Sequence, residues 1–220
     1  MTPAPTSRAQ SGLEERANCI SHGIGFVLAV LALPVLVQSC TSSARPEAVC
    51  WQQVVGACVF TLTMMLLYLS STLFHGAPEG QRKQFFERMD RAAIYLFIAG
   101  SYTPFAAASL QGPGSWLMLA LVWTMAAAGV LLTQSQKIKH PVWSTALYVA
   151  MGWLVLLAAI PWISRMSPRV LSLLVIGGLV YTVGALLFLL SGRIRFAHLG
   201  WHVAVMAGSG LHFSAVLLNV

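Results

Sequence analysis

The sequence predicts an all-α integral membrane protein, a bundle of seven transmembrane helices with its N-terminus in the cytoplasm and its C-terminus outside. Three observations carry this expectation. Of 220 residues, 57% are hydrophobic and only 9% are charged, against about 25% charged in an ordinary soluble domain. The apolar residues gather into seven runs, each close to the roughly 20 residues that a helix needs to cross a bilayer. The basic residues are also unevenly shared between alternate connections. Ten of the 13 lysines and arginines (Arg8, Arg16, Arg82, Lys83, Arg88, Arg91, Lys137, Lys139, Arg193 and Arg195) fall on one side and three (Arg45, Arg165 and Arg169) on the other. The excess marks the cytoplasmic side. The net charge of +7 therefore reads as orientation signals and anionic-lipid contacts rather than as a nucleic-acid surface.

Residues 1–16 are polar, with Pro3, Pro5, Ser7, Ser11 and Gly12, and read as a disordered cytoplasmic tail that tightens at LEERAN; residues 17–220 form one transmembrane domain. The first span, about Cys19 to Gln38, is too long for a signal-peptide core and is followed by no convincing cleavage site. Arg45, Pro46 and Glu47 separate it from the second span, Val49 to His75. The segment Gly76 to Arg91, GAPEGQRKQFFERMDR, is the most charged of the chain. Its paired Phe85 and Phe86 suit a short amphipathic helix lying in the membrane interface.

Span three runs from Ala92 to Leu110, with Pro104 a candidate kink. QGPGS opens span four, Trp116 to Thr133, and QSQKIKHP leads to span five, Val142 to Ile163. Before span six, Val170 to Leu190, Ser167 and Pro168 match an N-cap followed by proline at the first helical position. SGRIRF then leads into span seven, Ala197 to Val220. Trp51, Trp116, Trp143, Trp162 and Trp201 lie near span ends and fit an interfacial belt. Cys40 and Cys50 flank the outer first link, where an oxidising exterior would permit a disulfide.

With this topology, the unusual polar residues all fall at the cytoplasmic ends of their spans. Glu15, Asn18 and His22 form a stripe at the start of span one, and Ser71 and His75 stand one turn apart at the end of span two. Asp90 opens span three, and His198 and His202, at i and i+4, share one face of span seven. Ionisable groups in a membrane are costly and face a compensating partner. A divalent metal is such a partner. Three imidazoles, from His75, His198 and His202, suit Zn²⁺ with the fourth position open for water, the pattern of catalytic rather than structural zinc. Asp90 is placed to accept a proton and Ser71 to donate to a ligand or a developing oxyanion, although Ser71 can equally back-bond to its own helix. Glu15, Asn18 and His22 read as supports behind the ligands, or as purely structural. His212 lies about 15 Å deeper than His202 at 1.5 Å per residue and takes no ligand role. His140 reads as a solvated loop residue, and Cys19 and Cys58 as packing residues.

The spaced motifs E-x2-N-x3-H (Glu15, Asn18, His22), S-x3-H followed by aspartate (Ser71, His75, Asp90) and H-x3-H (His198, His202) resemble the hemolysin III family. So do YLSSTLFHG, AIYLFIAGSYTPF and MAGSGLHFSAV. That family is related to the progestin and adiponectin receptors. The resemblance implies seven helices, zinc held by His75, His198 and His202, and Asp90 in contact with a zinc-bound water; Arg91 stands where the family often has histidine. It also groups the chain with alkaline ceramidases as metal-dependent membrane hydrolases. The expected function is therefore a zinc-dependent hydrolase of a lipid amide or ester, with a membrane lipid as substrate or ligand. The alternative is a non-enzymatic membrane factor, either a lipid-state sensor with structural zinc or a haemolytic pore former.

Overall fold

The computed structural model describes residues 8–42, 46–108, 113–135, 140–158 and 166–219. Seven helices account for nearly all of them: α1 (Gly12–Ser42), α2 (Glu47–Gly76), α3 (Gln81–Ala108), α4 (Pro113–Gln134), α5 (Pro141–Ala158), α6 (Pro168–Leu190) and α7 (Ala197–Asn219). Arg45, Lys137, Lys139, Trp162 and Arg165 lie outside the described residues. Five helices, α1, α2, α4, α6 and α7, are long and apolar enough to cross a membrane. The other two fall short for local reasons: α3 spends its first three turns on charged residues, and the described part of α5 stops at Ala158, before the expected end of its span at Ile163.

The helices carry their polarity the opposite way round from a soluble bundle. On α1 the buried face is Glu14, Asn18, His22, Gly25, Ala29, Leu36 and Cys40, whereas Ile20, Ile24, Val27, Leu28, Leu31 and Val35 are exposed. An exposed apolar surface of that extent is unstable in water and matches lipid. Without a hydrophobic drive between helices, close packing relies on small residues. At Gly56 of α2, an added Cβ would stand 2.8 Å from the Cα of Pro104 on α3; at Gly184 of α6 it would stand 2.7 Å from the Cβ of Ala204 on α7. The larger core joins α1, α2, α3, α6 and α7 around Phe60, Tyr68, Phe97 and Val216. A smaller one, with Tyr95, Val122 and Met151, attaches α4 and α5 to the other side of α3.

Several expectations are corrected. α1 starts at Gly12, so residues 12–16 are helical rather than part of a disordered tail, and Arg8 to Ser11 are held by hydrogen bonds. The tail's polarity is real, but its groups find partners at the bundle's end. The charged segment beginning at Gln81 is no separate interfacial helix; it is the first part of α3, because nothing between Asp90 and Ala92 breaks the helix. Trp51, Trp116 and Trp143 are exposed as a belt requires, but Trp201 packs on Phe188 and lines an internal cavity. The Ser167 cap forms as expected, its hydroxyl accepting from the Val170 amide at 3.3 Å. The Cys50 thiol donates to the Cys40 carbonyl at 3.1 Å instead of closing a disulfide. His140 is exposed, and its Nδ1 accepts from the Val142 amide at the start of α5. The Cys19 thiol donates to the Thr72 carbonyl, joining α1 to α2.

Candidate metal centre and cavity

Two helix ends from distant parts of the chain bring the imidazoles together. The end of α2 supplies His75, and the first two turns of α7 supply His198 and His202. One ligand atom from each lies within 4.8 Å of those of the other two, and the Nε2 atoms of His75 and His198 are 3.2 Å apart. All three residues are withdrawn from solvent, at 5%, 9% and 1% exposure.

The remaining ring nitrogens show how two of these imidazoles are aimed. His75 Nδ1 donates to Glu15 Oε2 at 2.8 Å, which leaves its Nε2 with the lone pair. His202 Nδ1 lies 3.2 Å from the Asn18 carbonyl oxygen and 3.0 Å from Ser21 Oγ, while that hydroxyl itself donates to the Asn18 carbonyl. A carbonyl can only accept, so His202 Nδ1 carries the hydrogen and its Nε2 is also left basic. Ligating histidines are held in this way by an acceptor behind the ring. The group is compatible with a metal ion: the 3.2 Å between the Nε2 atoms of His75 and His198 is close to the about 3.3 Å that separates two imidazole nitrogens on a tetrahedral ion.

The expected supporting residues reach these rings by different routes. Glu15 contacts His75 through its carboxylate and is shared with Lys83, whose Nζ lies 3.3 Å from Glu15 and 3.0 Å from Glu79. Partial burial pulls the Lys83 ammonium down, but the hydrogen bond to Glu79 and the Glu15 charge outweigh it and leave the group raised above its usual value. Asn18 supports His202 with its backbone carbonyl; its side-chain amide instead donates to Gln10 at 2.7 Å. His22 stacks flat on His202, with ring centroids 3.6 Å apart and planes at 9°, and neither of its nitrogens has a hydrogen-bond partner.

Asp90 is not among the three-imidazole group. It lies beside it, lining with Ser71, His22 and His198 a cavity of about 280 Å³. The Ser71 hydroxyl is buried, makes no bond back to its own helix and stands beside the Asp90 carboxylate, whereas Ser70 next to it back-bonds to Leu67. Beyond the polar end, the cavity walls are largely apolar, with Leu67, Ile94, Phe97, Val205 and Leu174 from four helices. His212 lines the far end, about 21 Å along α7 from His198 at 1.5 Å per residue, and bonds to the Leu174 carbonyl.

Glu14, Arg8 and Gln10 were not singled out by the sequence. Glu14 is 2% exposed and bound by Arg8, Ser11 and the Phe196 amide. Its spacing was a usable signal, since Glu14, Asn18 and His22 follow one another at i, i+4 and i+8 on a single face.

Comparison with known proteins shows the family of the chain. The profile of the family described as "Haemolysin-III related" matches residues 11–213. Hemolysin-3 of Bacillus cereus is 38% identical over 220 residues, covering 100% of this chain and 98% of the relative. The Hemolysin-3 homolog of Bacillus subtilis (strain 168) is 37% identical, covering 93% of each chain. Monocyte to macrophage differentiation factor of Homo sapiens is 30% identical over 92% of this chain and 83% of its own length. With its seven helices, its lipid-matched surface and these similarities along nearly its whole length, the chain is an integral membrane protein that belongs to the haemolysin-III related family.

Proposed function

We propose that the protein is a zinc-dependent hydrolase that cleaves an amide or ester bond of a membrane lipid. The observation that carries the reading is the convergence of His75, His198 and His202, the second of which lines the polar end of a largely apolar cavity together with Asp90 and Ser71. Zinc bound by three imidazoles supplies Lewis acidity and brings the pKa of water to about 7.

The chain's own groups divide the remaining work. Glu15 and the Asn18 carbonyl hold His75 and His202 with their Nε2 lone pairs facing the centre. The Asp90 carboxylate is the proton acceptor beside the centre and returns that proton to the leaving group. The Ser71 hydroxyl, buried beside Asp90, donates to the carbonyl oxygen as charge develops on it. Leu67, Ile94 and Phe97 take the acyl chain and exclude water from it.

The test is hydrolysis of fluorescent lipid amides and esters by purified protein in mixed micelles, before and after chelation and after zinc is restored. Turnover that is lost and regained, abolished in both His75→Ala and Asp90→Ala but with zinc missing only from the first, supports the reading. Undiminished turnover in the metal-free protein sinks it. A second reading, a membrane factor without enzymatic activity, is favoured by the name Hemolysin-3 carried by the Bacillus cereus relative. Equal dye release from vesicles by wild type and His75→Ala, with no lipid hydrolysed, would select it.

A further inference from the structure

We propose that Glu14 is a positioning residue of the three-histidine centre, the carboxylate through which the segment before α1 sets the start of α7. The inference rests on the reading of His75, His198 and His202 as metal ligands.

The reasoning begins at Phe196. It has a φ of 59°, the one non-glycine residue with positive φ among those described, and this left-handed conformation is unfavourable for a side chain with a Cβ. Phe196 is also where α7 begins, because its carbonyl accepts the first helical hydrogen bond, from Gly200 at 3.0 Å. Residues at this position ordinarily hold the helix start with a polar side chain, which phenylalanine lacks. The start is held instead from 182 residues earlier in the chain: the Phe196 amide, the donor that an N3 carboxylate takes in a capping box, donates to Glu14 Oε1 at 2.8 Å. His198 follows two residues later, and His202 one turn beyond. The direction in which the turn at Phe196 launches α7 therefore sets where both imidazoles arrive.

Glu14 is itself fixed. Arg8 grips both of its oxygens, at 2.7 and 2.5 Å, and Ser11 donates its amide and its hydroxyl to Oε2, each at 2.9 Å. The Arg8 amide donates to the Gly192 carbonyl at 2.9 Å, on the connection between α6 and α7. A second strand of the same network runs from Gln10 to the Asn18 side chain, whose residue's carbonyl holds His202. His75, by contrast, is held by Glu15. Perturbing Glu14 thus moves two ligands relative to the third, which is a change in the geometry of the centre and not only in the stability of the fold.

The test uses the full-length protein in detergent, loaded with Co²⁺ for its visible ligand-field spectrum and titrated with Zn²⁺ for affinity. Glu14→Ala is expected to change the shape of the Co²⁺ spectrum and to weaken Zn²⁺ binding by about tenfold or more, with Glu14→Gln intermediate. Glycine adopts the left-handed turn unaided, so Phe196→Gly in the Glu14→Ala background should restore both readouts. Should Glu14→Ala fold too poorly to purify, Glu14→Gln and Arg8→Ala carry the same comparison. A folded variant whose melting temperature falls while spectrum and affinity match the wild type overturns the proposal, as does failure of Phe196→Gly to restore either. If wild-type protein binds neither ion, it is the metal-site reading that fails.

Discussion

Replacing Glu15 by glutamine or alanine probes the aim of a single ligand without touching the ligands themselves. The Glu15 carboxylate accepts from His75 Nδ1 at 2.8 Å, and the imidazole side chain is 1% exposed, so water has little access to replace the bond. A hydrogen bond to a charged partner contributes about 1.5–3 kcal/mol and a neutral one about 0.5–1.5 kcal/mol. Glutamine keeps an acceptor but loses the charge, a difference of about 1–1.5 kcal/mol. At 1.4 kcal/mol per decade this is about a tenfold loss of Zn²⁺ affinity. Alanine leaves the Nδ1 hydrogen without an acceptor and removes the preference for the tautomer with a basic Nε2, so its loss should approach about 100-fold. Lys83 keeps Glu79 as a partner in either variant, at 3.0 Å, so the effect belongs to His75. Competition between detergent-purified protein and a chelating dye measures the affinities. Wild-type Zn²⁺ binding in both variants would refute the claim that this carboxylate orients the ring.

Three further outcomes are expected. Ser71→Ala removes a buried hydroxyl beside the Asp90 carboxylate; thermal melts should show a change of no more than about 1.5 kcal/mol, while lipid turnover should fall about 10²-fold if the hydroxyl serves the developing oxyanion. Gly56→Ala places a Cβ 2.8 Å from the Pro104 backbone and should lower stability by about 1–3 kcal/mol, whereas Gly152→Ala, with nothing within 4 Å, should melt like wild type or higher. Single cysteines introduced at Arg193 and at Glu47 of a cysteine-free variant should react with an impermeant thiol reagent from opposite faces of the membrane, Arg193 from the cytoplasm. Labelling of both from one face would overturn the proposed topology.

The seven helices were legible because bilayer thickness imposes one length on every span, and the caps at Ser167 and Pro168 are local events visible in local sequence. The pairing of α2 with α7 was legible only through depth: His75 and His198 are 123 positions apart, but both stand at helix ends on the same side. What escaped is what depth does not encode. A polar run such as residues 8–16 has the composition of a tail, and only the bundle's end supplies Gly192 and Phe196 as its partners. Trp201 was unreadable for a similar reason. Its distance from the span end suits a belt, while its inward direction depends on where Phe188 stands on α6.

The packing assigns the two halves of the bundle different tasks. On the side of the imidazoles, glycines let the helices approach closely: Gly25 against Tyr68 joins α1 to α2 and Gly208 against Tyr181 joins α7 to α6, while further along the bundle Gly56 against Pro104 joins α2 to α3. A metal centre needs this, since ligand atoms must hold within about 0.5 Å of their working positions. On the cavity side, α5 is linked by side chains reaching across. Tyr102 on α3 donates to the Gly152 carbonyl, and Trp153 donates to Thr182 on α6 at 3.1 Å, while the Gly152 Cα faces open space. Such links can be exchanged for others when α5 shifts, whereas packing so close that a glycine has no room for a Cβ cannot. A lipid entering the cavity would then displace α5 and leave the α1–α2–α7 corner in place, so that uptake of the substrate need not disturb the three histidines. Tyr102→Phe separates the tasks: it removes one α5 link and should alter lipid uptake, leaving Zn²⁺ affinity as in the wild type. A parallel loss of metal would show instead that the two halves move as one.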